Sequence, residues 1–355
     1  MTTLSFTSRG ALTAIAALGL IACDRVGDQA AAPSSQAAAS DASTYTPPRT
    51  SWGDPDLQGK WPSTHMVGVP MQRAPELGAR NVLNDEEFAA RQAQFARQQE
   101  LDNADFDLEN AESTPGGVVG GPVSPPPHWL ERGQPQRQAS LIVDPHDGRL
   151  PPLTDDAQQR EAALRAARAS RGPADSYTDR SLYDRCITRG IAGSILPVIY
   201  NNGNEIVQSP GYVAIVNEMI HETRIVPLDG RPHVNQNIKM WMGDSRGHWD
   251  GDTLVVETTN LTDRTGIGVN GGGSRHSDQL TITERFTRTD ADTIEYEMTV
   301  EDPNTWTAPW TMQYPLERDD GYGMYEYACH EGNYAMFNIL SGARAEERAA
   351  VEAAR

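Results

Sequence analysis

Chemistry-bearing side chains are concentrated in the second half of this 355-residue chain. Asp244, Arg246 and His248 occupy alternate positions just before a tight Asp-Gly turn, which places all three on one face of a strand. A carboxylate, a guanidinium and an imidazole on one face could form a polar site for proton transfer. The alternative interpretation is a structural Asp–Arg ion pair, with Trp249 in the core.

A second group of polar residues ends a strongly apolar segment. His221 and Arg224 lie close in sequence to Asn217 and Glu218. These side chains could line the mouth of a barrel, with His221 as a base and Arg224 orienting a carboxylate substrate. Alternatively, they are rim residues paired with neighbouring carboxylates.

Glu284 is the most informative carboxylate of the chain. Counting by twos from Ile282 places it on the same strand face as Phe286. An inward carboxylate must pair with an arginine or hold a raised pKa, and either state suits ligand binding or acid–base catalysis. A structural Glu–Arg pair or a shifted strand register would explain the same pattern.

The first residues have the pattern of an export signal. Arg9 precedes an apolar run that is too short to span a bilayer, which predicts a signal peptide over residues 1–22. Its last residues, Leu20-Ile-Ala-Cys23, resemble the lipobox of bacterial lipoproteins. The resemblance implies lipidation of Cys23 and a periplasm-facing position in the bacterial cell envelope, on the inner or the outer membrane. An ordinary secretory signal with a chance cysteine is the alternative.

Export has a consequence for the two remaining cysteines. In an oxidising compartment Cys186 and Cys329 are expected to form a disulfide, although a catalytic thiol at Cys329 is the alternative. A disulfide would also hold the adjacent His330 and Glu331 in place, as a functional site requires.

Four further segments follow the signal peptide. Residues 23–50 have almost nothing to bury and predict a disordered tether. Residues 51–180 form a helical and irregular arm with a first strand near 57–62. Residues 181–340 are β, and 341–355 are a C-terminal helix. Within the arm, Asn84 and Glu87 predict a capping box that begins a helix over 85–101, and Thr154 caps a second helix over 155–170.

The segment 181–340 has the period of β-strands. Apolar and polar residues alternate from Thr293 to Val300, and Asp-Gly pairs at 229–230 and 250–251 suit two-residue hairpin turns. Consecutive strands with short turns form an antiparallel meander, which closes into a barrel or packs as a sandwich. The chain is therefore expected to be mainly β with a helical N-terminal segment, an α+β fold.

Two resemblances extend this interpretation. Gly59-Lys-Trp61 resembles the Gly-x-Trp pattern that opens the first strand of lipocalins and related calycins, which implies a calycin-like β-barrel around a small-molecule pocket. Longer stretches resemble a widespread, uncharacterised family of exported bacterial proteins, which carries over no activity. These stretches include Ile225-Val-Pro-Leu-Asp-Gly-Arg-Pro-His233, Trp241-Met-Gly-Asp-Ser-Arg-Gly-His-Trp249 and Tyr327-Ala-Cys-His-Glu-Gly-Asn333.

Composition narrows the function classes. The net charge is −19, and no basic stripe is present to bind a phosphate backbone, so no nucleic-acid partner is expected. No cofactor motif occurs, and the glycines at 271–273 indicate a flexible turn rather than a phosphate-binding loop. The histidines at 221, 233, 248 and 330 are irregularly spaced, so no metal is expected.

These observations favour a lipid-anchored envelope protein that binds a small organic ligand in a β-barrel pocket, with the lipid as its only membrane contact. The first alternative is a hydrolase, lyase or isomerase in the same cavity, with His221 or His248 and Glu284 transferring protons. The second alternative is a non-catalytic interaction lipoprotein.

Overall fold

The structure, a computed structural model, describes residues 45–103 and 129–355. The predicted signal peptide over 1–22, the lipidation residue Cys23 and residues 24–44 of the predicted tether lie outside the described residues. The described part of the chain holds ten strands in two antiparallel sheets and a few helices. This confirms the prediction of a mainly β chain.

The elements are numbered in chain order. The strands are β1 (Gly59–Lys60), β2 (Ile142–Asp144), β3 (Asn204–Ser209), β4 (Tyr212–Asn217), β5 (Thr223–Pro227), β6 (Asp244–Asp250), β7 (Thr253–Thr259), β8 (Thr281–Arg288), β9 (Thr293–Glu301) and β10 (Trp310–Glu317). The helices are α1 (Asp85–Asp102), α2 (Asp155–Ala169), α3 (Gly190–Ile195) and α4 (Tyr334–Ala353).

The larger sheet is the predicted meander. Its strand order is β2-β10-β9-β8-β7-β6, so β6 to β9 each pair with the next strand along the chain. Alternate side chains of β9 point into the core, as the sequence period predicts, and Glu284 of β8 lies opposite Met298 of β9. The buried residues of β9 are Ile294, Tyr296, Met298 and Val300.

The smaller sheet has the order β1-β3-β4-β5. Its first strand lies inside the predicted range 57–62, and the following Trp61 is completely buried. The indole N–H of Trp61 donates to the carbonyl of Leu57 at 2.8 Å, while the guanidinium groups of Arg288 and Arg318 lie within 5.6 Å of the indole ring. Trp61 therefore joins the first strand to the core that both sheets share.

No closed barrel is found among residues 45–103 and 129–355, because their strands form two separate hydrogen-bonded sheets. The side chains between these sheets are large and tightly buried, which leaves the interior filled. The largest of them are Trp61, Trp310, Tyr296, Tyr314 and Phe286.

Two helices begin where their caps predict. The side chain of Asn84 accepts from the backbone N–H of Glu87, whose carboxylate accepts from the N–H of Asn84 in return, and Thr154 caps α2. The C-terminal helix was wrongly predicted to begin at 341: it begins at Tyr334, where the Asn333 side chain caps it. The prediction followed the polar Ala/Glu/Arg composition and missed the apolar first turns. No helix of the described residues has the length and apolar character to cross a membrane.

Candidate functional site

The structure places Glu284 and Arg224 together between the two sheets. Arg224 binds both carboxylate oxygens, one of them at 2.8 Å, and the hydroxyl of Tyr296 donates to Glu284 at 2.9 Å. The exposed fractions are 0% for Glu284 and 5% for Arg224. Burial opposes the charge of Arg224, but the adjacent Glu284 carboxylate raises the pKa of Arg224 above its ordinary value. This closed pair has the geometry of a structural ion pair.

The polar residues of β6 form a second cluster. Asp244 accepts hydrogen bonds from Arg246 at 2.6 Å and from Nδ1 of His233 at 3.0 Å. Nε2 of His233 lies 3.1 Å from a carboxylate oxygen of Glu257. His248 is exposed and makes no hydrogen bond from its side chain to any described residue. The structure therefore joins Asp244 to Arg246 and His233, and leaves His248 apart.

The two cysteines confirm the predicted pairing. The Cα atoms of Cys186 and Cys329 are 5.6 Å apart, and the sulfur atoms are bonded. The next residue, His330, has its ring centroid 5.1 Å from the ring of His221. Glu331 is exposed, and its side chain contacts no described residue through a hydrogen bond or an ion pair. The disulfide thus lies beside one pair of candidate residues, and Glu331 stays outside it.

The backbone near this disulfide is strained. Cys186, Asn201, Ile220 and His221 have φ values between 44° and 57°, a region that residues with a Cβ rarely adopt. For the β-branched Ile220 the cost is greatest. Nδ1 of His221 lies 2.9 Å from the carbonyl oxygen of Tyr327, which can only accept, so Nδ1 donates and, in the neutral form of the ring, Nε2 carries the lone pair. Strain of this kind persists where surrounding contacts enforce it, and it concentrates at functional sites.

A cleft of about 700 Å³ adjoins these residues, and we name it the tyrosine cleft. Loops supply its walls: residues 129–131, residues 200–201, Glu218 directly after β4, and residues 322–329 beyond the end of β10. Its aromatic side chains are Trp129, Tyr200, Tyr322, Tyr325 and Tyr327.

Glu131 fixes one wall of the tyrosine cleft. One of its oxygens accepts from the backbone N–H of Asn201 at 2.7 Å and from the hydroxyl of Tyr322 at 2.8 Å. The other oxygen accepts from Thr64 at 3.0 Å and from the side-chain amide of Asn202 at 2.9 Å. All four donors are neutral, as is a fifth, the backbone N–H of Asn202 at 3.2 Å, so the carboxylate keeps four donors even when the Tyr322 hydroxyl does not donate to it.

Glu218 fixes the opposite wall and is itself buried. Its oxygens accept from the side-chain amide of Asn201 at 2.9 Å, the N–H of Tyr325 at 3.1 Å and the N–H of Gly203 at 3.3 Å. The hydroxyl of Tyr322 lies 2.8 Å from Glu218 as well as from Glu131, so one phenol joins the two carboxylates. Burial and these two carboxylates raise the pKa of Tyr322 well above its ordinary value.

Three tyrosine hydroxyls meet beneath the same cleft. The hydroxyl of Tyr183 lies 2.6 Å from that of Tyr200 and 2.9 Å from that of Tyr327. Burial, followed by the bond to Tyr183, raises the pKa of Tyr200 to about 12. Burial also raises the pKa of Tyr327. Tyr200 and Tyr327 therefore stay neutral hydrogen-bonding groups at physiological pH.

The arrangement suits recognition of an organic molecule. Aromatic faces stack on rings and apolar edges, and neutral hydroxyls orient polar substituents. Within residues 45–103 and 129–355, no three His, Cys, Asp or Glu side chains lie where they could share a metal ion.

Sequence reasoning named only part of this site. It singled out Glu218 and His221 as residues of a cavity mouth, but it missed Glu131, Tyr322 and Tyr325. Glu131 and Tyr322 lie in irregular segments with no periodic pattern. The turn residues around Asn201 were the only local signal that a loop is built there.

Comparisons with protein-family models, curated proteins and solved structures find no match to this chain. The assignment of the candidate site therefore depends on the geometry of its side chains.

Proposed function

We propose that this protein is an exported, lipid-anchored envelope protein that binds a small organic ligand in the tyrosine cleft. One observation carries the proposal: two large aromatic side chains in the wall of a cleft are exposed to water. The side chain of Tyr325 is 76% exposed, and Trp129 is also largely exposed. Removing a large aromatic face from water is favourable. A ligand ring that covers these exposed faces would therefore be bound in part by the hydrophobic effect. A cleft of about 700 Å³ has room for a ligand of this kind.

The hydrogen bonds of the two cleft carboxylates favour binding over catalysis. Apart from Tyr322, Glu131 accepts four hydrogen bonds from the protein and Glu218 accepts three. The single hydroxyl proton of Tyr322 adds one more bond to one of the two carboxylates at a time. A carboxylate whose lone pairs are occupied is a poor general base, because it must first lose those bonds. The two glutamates therefore hold the loops in place for a ligand that contacts the aromatic side chains.

The export part of the proposal is supported by the lipobox-like Leu20-Ile-Ala-Cys23 and by the disulfide. Structural disulfides persist in oxidising compartments such as the periplasm. Replacing Cys23 with serine should release the protein from the membrane fraction into the soluble envelope fraction. Retention of the Cys23→Ser protein on membranes would contradict the lipid anchor.

We also infer that the two sheets are the halves of a flattened, calycin-like barrel. At the β1 edge of the smaller sheet, the N–H of Asp319, just past β10, donates to the carbonyl of Lys60 in β1 at 3.0 Å. At the other edge a Cβ at Gly247 of β6 would come within 2.8 Å of Leu228 and Val226, beside or in β5. Because side chains fill this interior, we propose a ligand site at the loops rather than between the sheets.

A second candidate function is acid–base catalysis at the rim of the tyrosine cleft. It is favoured by His221, whose Nε2 lone pair faces no described partner and whose side chain is exposed. The nearby Glu222 has its pKa raised by burial, so it holds a proton more readily than an exposed glutamate. Such an enzyme would lose its activity in His221→Gln while still binding its ligand.

The binding proposal is tested by extracting small molecules from protein purified out of the envelope fraction and identifying them by mass spectrometry. Tyr325→Ala removes the exposed cleft aromatic, and Tyr334→Ala is the matched control, since Tyr334 is 75% exposed on α4 outside the cleft. We expect one ligand to co-purify with the wild type and with Tyr334→Ala, and to be depleted from Tyr325→Ala. Equal retention in both variants, or no ligand in the wild type, would contradict the proposal.

A further inference from the structure

A second concave site lies apart from the tyrosine cleft, and the two share no lining residue. It has a volume of about 570 Å³ and lies between α2, residues 178–188 and residues 264–275. We name it the arginine crevice, because six arginines and a single carboxylate, Glu161, line it. The chain as a whole carries a charge of −19, so a positively charged concavity contrasts with the negative charge of the rest of the protein.

Four of the six arginines make no ion pair with a described residue, although Arg168 is near enough to Asp179 to help lower the pKa of that carboxyl. Within residues 45–103 and 129–355, no carboxylate lies within 4.0 Å of the guanidinium of Arg168, Arg185, Arg264 or Arg275. Like charges held around one concavity repel each other, although water screens part of this repulsion because Arg168 and Arg264 are exposed. A bound anion would remove this cost. The two remaining arginines, Arg165 and Arg180, have one carboxylate each, at 3.4 and 3.3 Å.

Helix α2 presents its charged face to the crevice. Glu161, Leu164, Arg165 and Arg168 recur at spacings of three and four residues, so they share one helix face, and all four line the crevice. In a helix that packs on a core this inward face is apolar. Here the only buried residue of α2 is Ala157, near its first turn. The face of α2 is therefore suited to an anion rather than to core packing.

The floor of the crevice is fixed by close backbone packing. A Cβ at Gly271 would lie 2.8 Å from the carbonyl oxygen of Arg189, and a Cβ at Gly193 of α3 would lie 2.7 Å from the nitrogen of Gly271. Gly271 thus permits its loop to pack against the start of α3. The side chain of Arg189 is 1% exposed, and its Nε and Nη1 have no hydrogen-bond partner among the described residues. Its guanidinium lies 4.1 Å from the ring centroid of Tyr183, on the side of the tyrosine cleft, so it is not one of the cations of the crevice.

We propose that the arginine crevice binds a small organic polyanion that carries two or more phosphate or carboxylate groups. Guanidinium groups recognise both oxyanions with paired hydrogen bonds, and several arginines around one concavity suit several such groups on one molecule. Trp241 and Leu164 provide apolar contacts for the organic part of the ligand. The proposal does not depend on the tyrosine cleft, and the two sites are tested by different variants.

The test is calorimetric titration of the folded full-length protein with pyrophosphate and, separately, with citrate. Arg264→Gln combined with Arg275→Gln removes two unpaired charges from the crevice. Arg348→Gln combined with Arg355→Gln removes the same charge from the exposed end of α4 and is the matched control. We expect wild-type affinity in the range of about 1 mM or tighter, a loss of about tenfold or more in the crevice variant, and a change below about twofold in the control.

Folding is checked by thermal unfolding of each variant. If the first crevice variant does not fold, a second double variant, Arg165→Gln with Arg168→Gln on the exposed helix α2, is used in its place. The same loss of anion affinity is expected. The proposal would be overturned by absence of binding to both anions, or by equal losses in the crevice and control variants. Binding to phosphatidylglycerol vesicles without binding to either soluble anion would also overturn it, because that result indicates a membrane-facing surface.

Discussion

Two buried glutamates in this protein have different surroundings. Glu284 lies between the sheets and faces the guanidinium of Arg224, with the hydroxyl of Tyr296 as a further donor. Glu218 lies in the wall of the tyrosine cleft, where all its donors are neutral, and the hydroxyl of Tyr322 lies 2.8 Å from it. Both carboxylates are buried and both bind a phenol, so the presence of a cation is the main difference between them.

This difference separates a structural role from a role in a site. An ion pair closed off from solvent must be complete, because removal of one partner leaves a buried charge without compensation. A carboxylate held by neutral loop donors leaves no such charge when it is replaced, but the loops that it orders lose their anchor. The inward residues of the strands therefore stabilise the fold, and the loops beyond the strand ends form the candidate site.

The largest effect is expected for Glu284→Gln. Arg224 would stay buried without a counter-ion, so the free energy of unfolding should fall by about 3–5 kcal/mol. Denaturant unfolding measures the change. Glu301→Gln, at the exposed end of β9, is the control and should change stability by less than about 0.5 kcal/mol. A loss of stability for Glu284→Gln as small as that of the control would contradict the structural role of the pair.

The next effect concerns the disulfide. Replacing Cys186 and Cys329 with serine removes a cross-link between residues that are 143 positions apart. The free energy of unfolding should therefore fall by about 2–5 kcal/mol. Because Cys329 also lines the tyrosine cleft, ligand binding should weaken at temperatures where the variant is still folded. Folded Glu284→Gln protein should keep its ligand under the same conditions. Loss of the ligand from both the disulfide variant and folded Glu284→Gln would contradict the assignment of Glu284 to the structural core and of Cys329 to the ligand site.

A smaller effect is expected for Glu218→Gln. The new amide group would face donors from Asn201, Gly203 and Tyr325, so unfolding free energy should fall by roughly 1–3 kcal/mol. Ligand retention, measured by mass spectrometry, should fall as well. Unchanged retention in a folded Glu218→Gln protein would show that this wall is not part of the site.

The smallest effect is expected at high pH. The pKa of Tyr200 is about 12 in the folded protein and about 10 in the unfolded chain. The unfolded state therefore loses its proton first, and stability should decline as the pH rises from about 10 to about 12. Absorbance at 295 nm follows the ionisation of the phenols. Titration of every tyrosine near pH 10 in folded protein would contradict the buried hydroxyl cluster.

Much of the fold could be predicted because strands and helix caps leave short-range patterns. Alternation placed Glu284 and Phe286 on one buried face, and Asn84 with Glu87 located the start of α1. The partner of Glu284 could not be identified, because Arg224 comes from the other sheet, 60 positions away.

The candidate site was less predictable. Glu131, Glu218 and Tyr322 are far apart in sequence and meet only through loops, whose contacts have no period. The short buried helix α3 was also missed, since its Gly-Ile-Ala-Gly sequence has neither an N-cap side chain nor an amphipathic pattern. Tertiary packing, rather than local preference, determines both features.

The most direct test of the account is a crystal structure of the protein purified with its ligand retained. We expect the ligand in the tyrosine cleft, with its ring against Tyr325 and Tyr327 and with Glu131 and Glu218 still bound to Tyr322. A ligand between the two sheets beside Glu284, or elsewhere on the protein with the tyrosine cleft empty, would contradict the account.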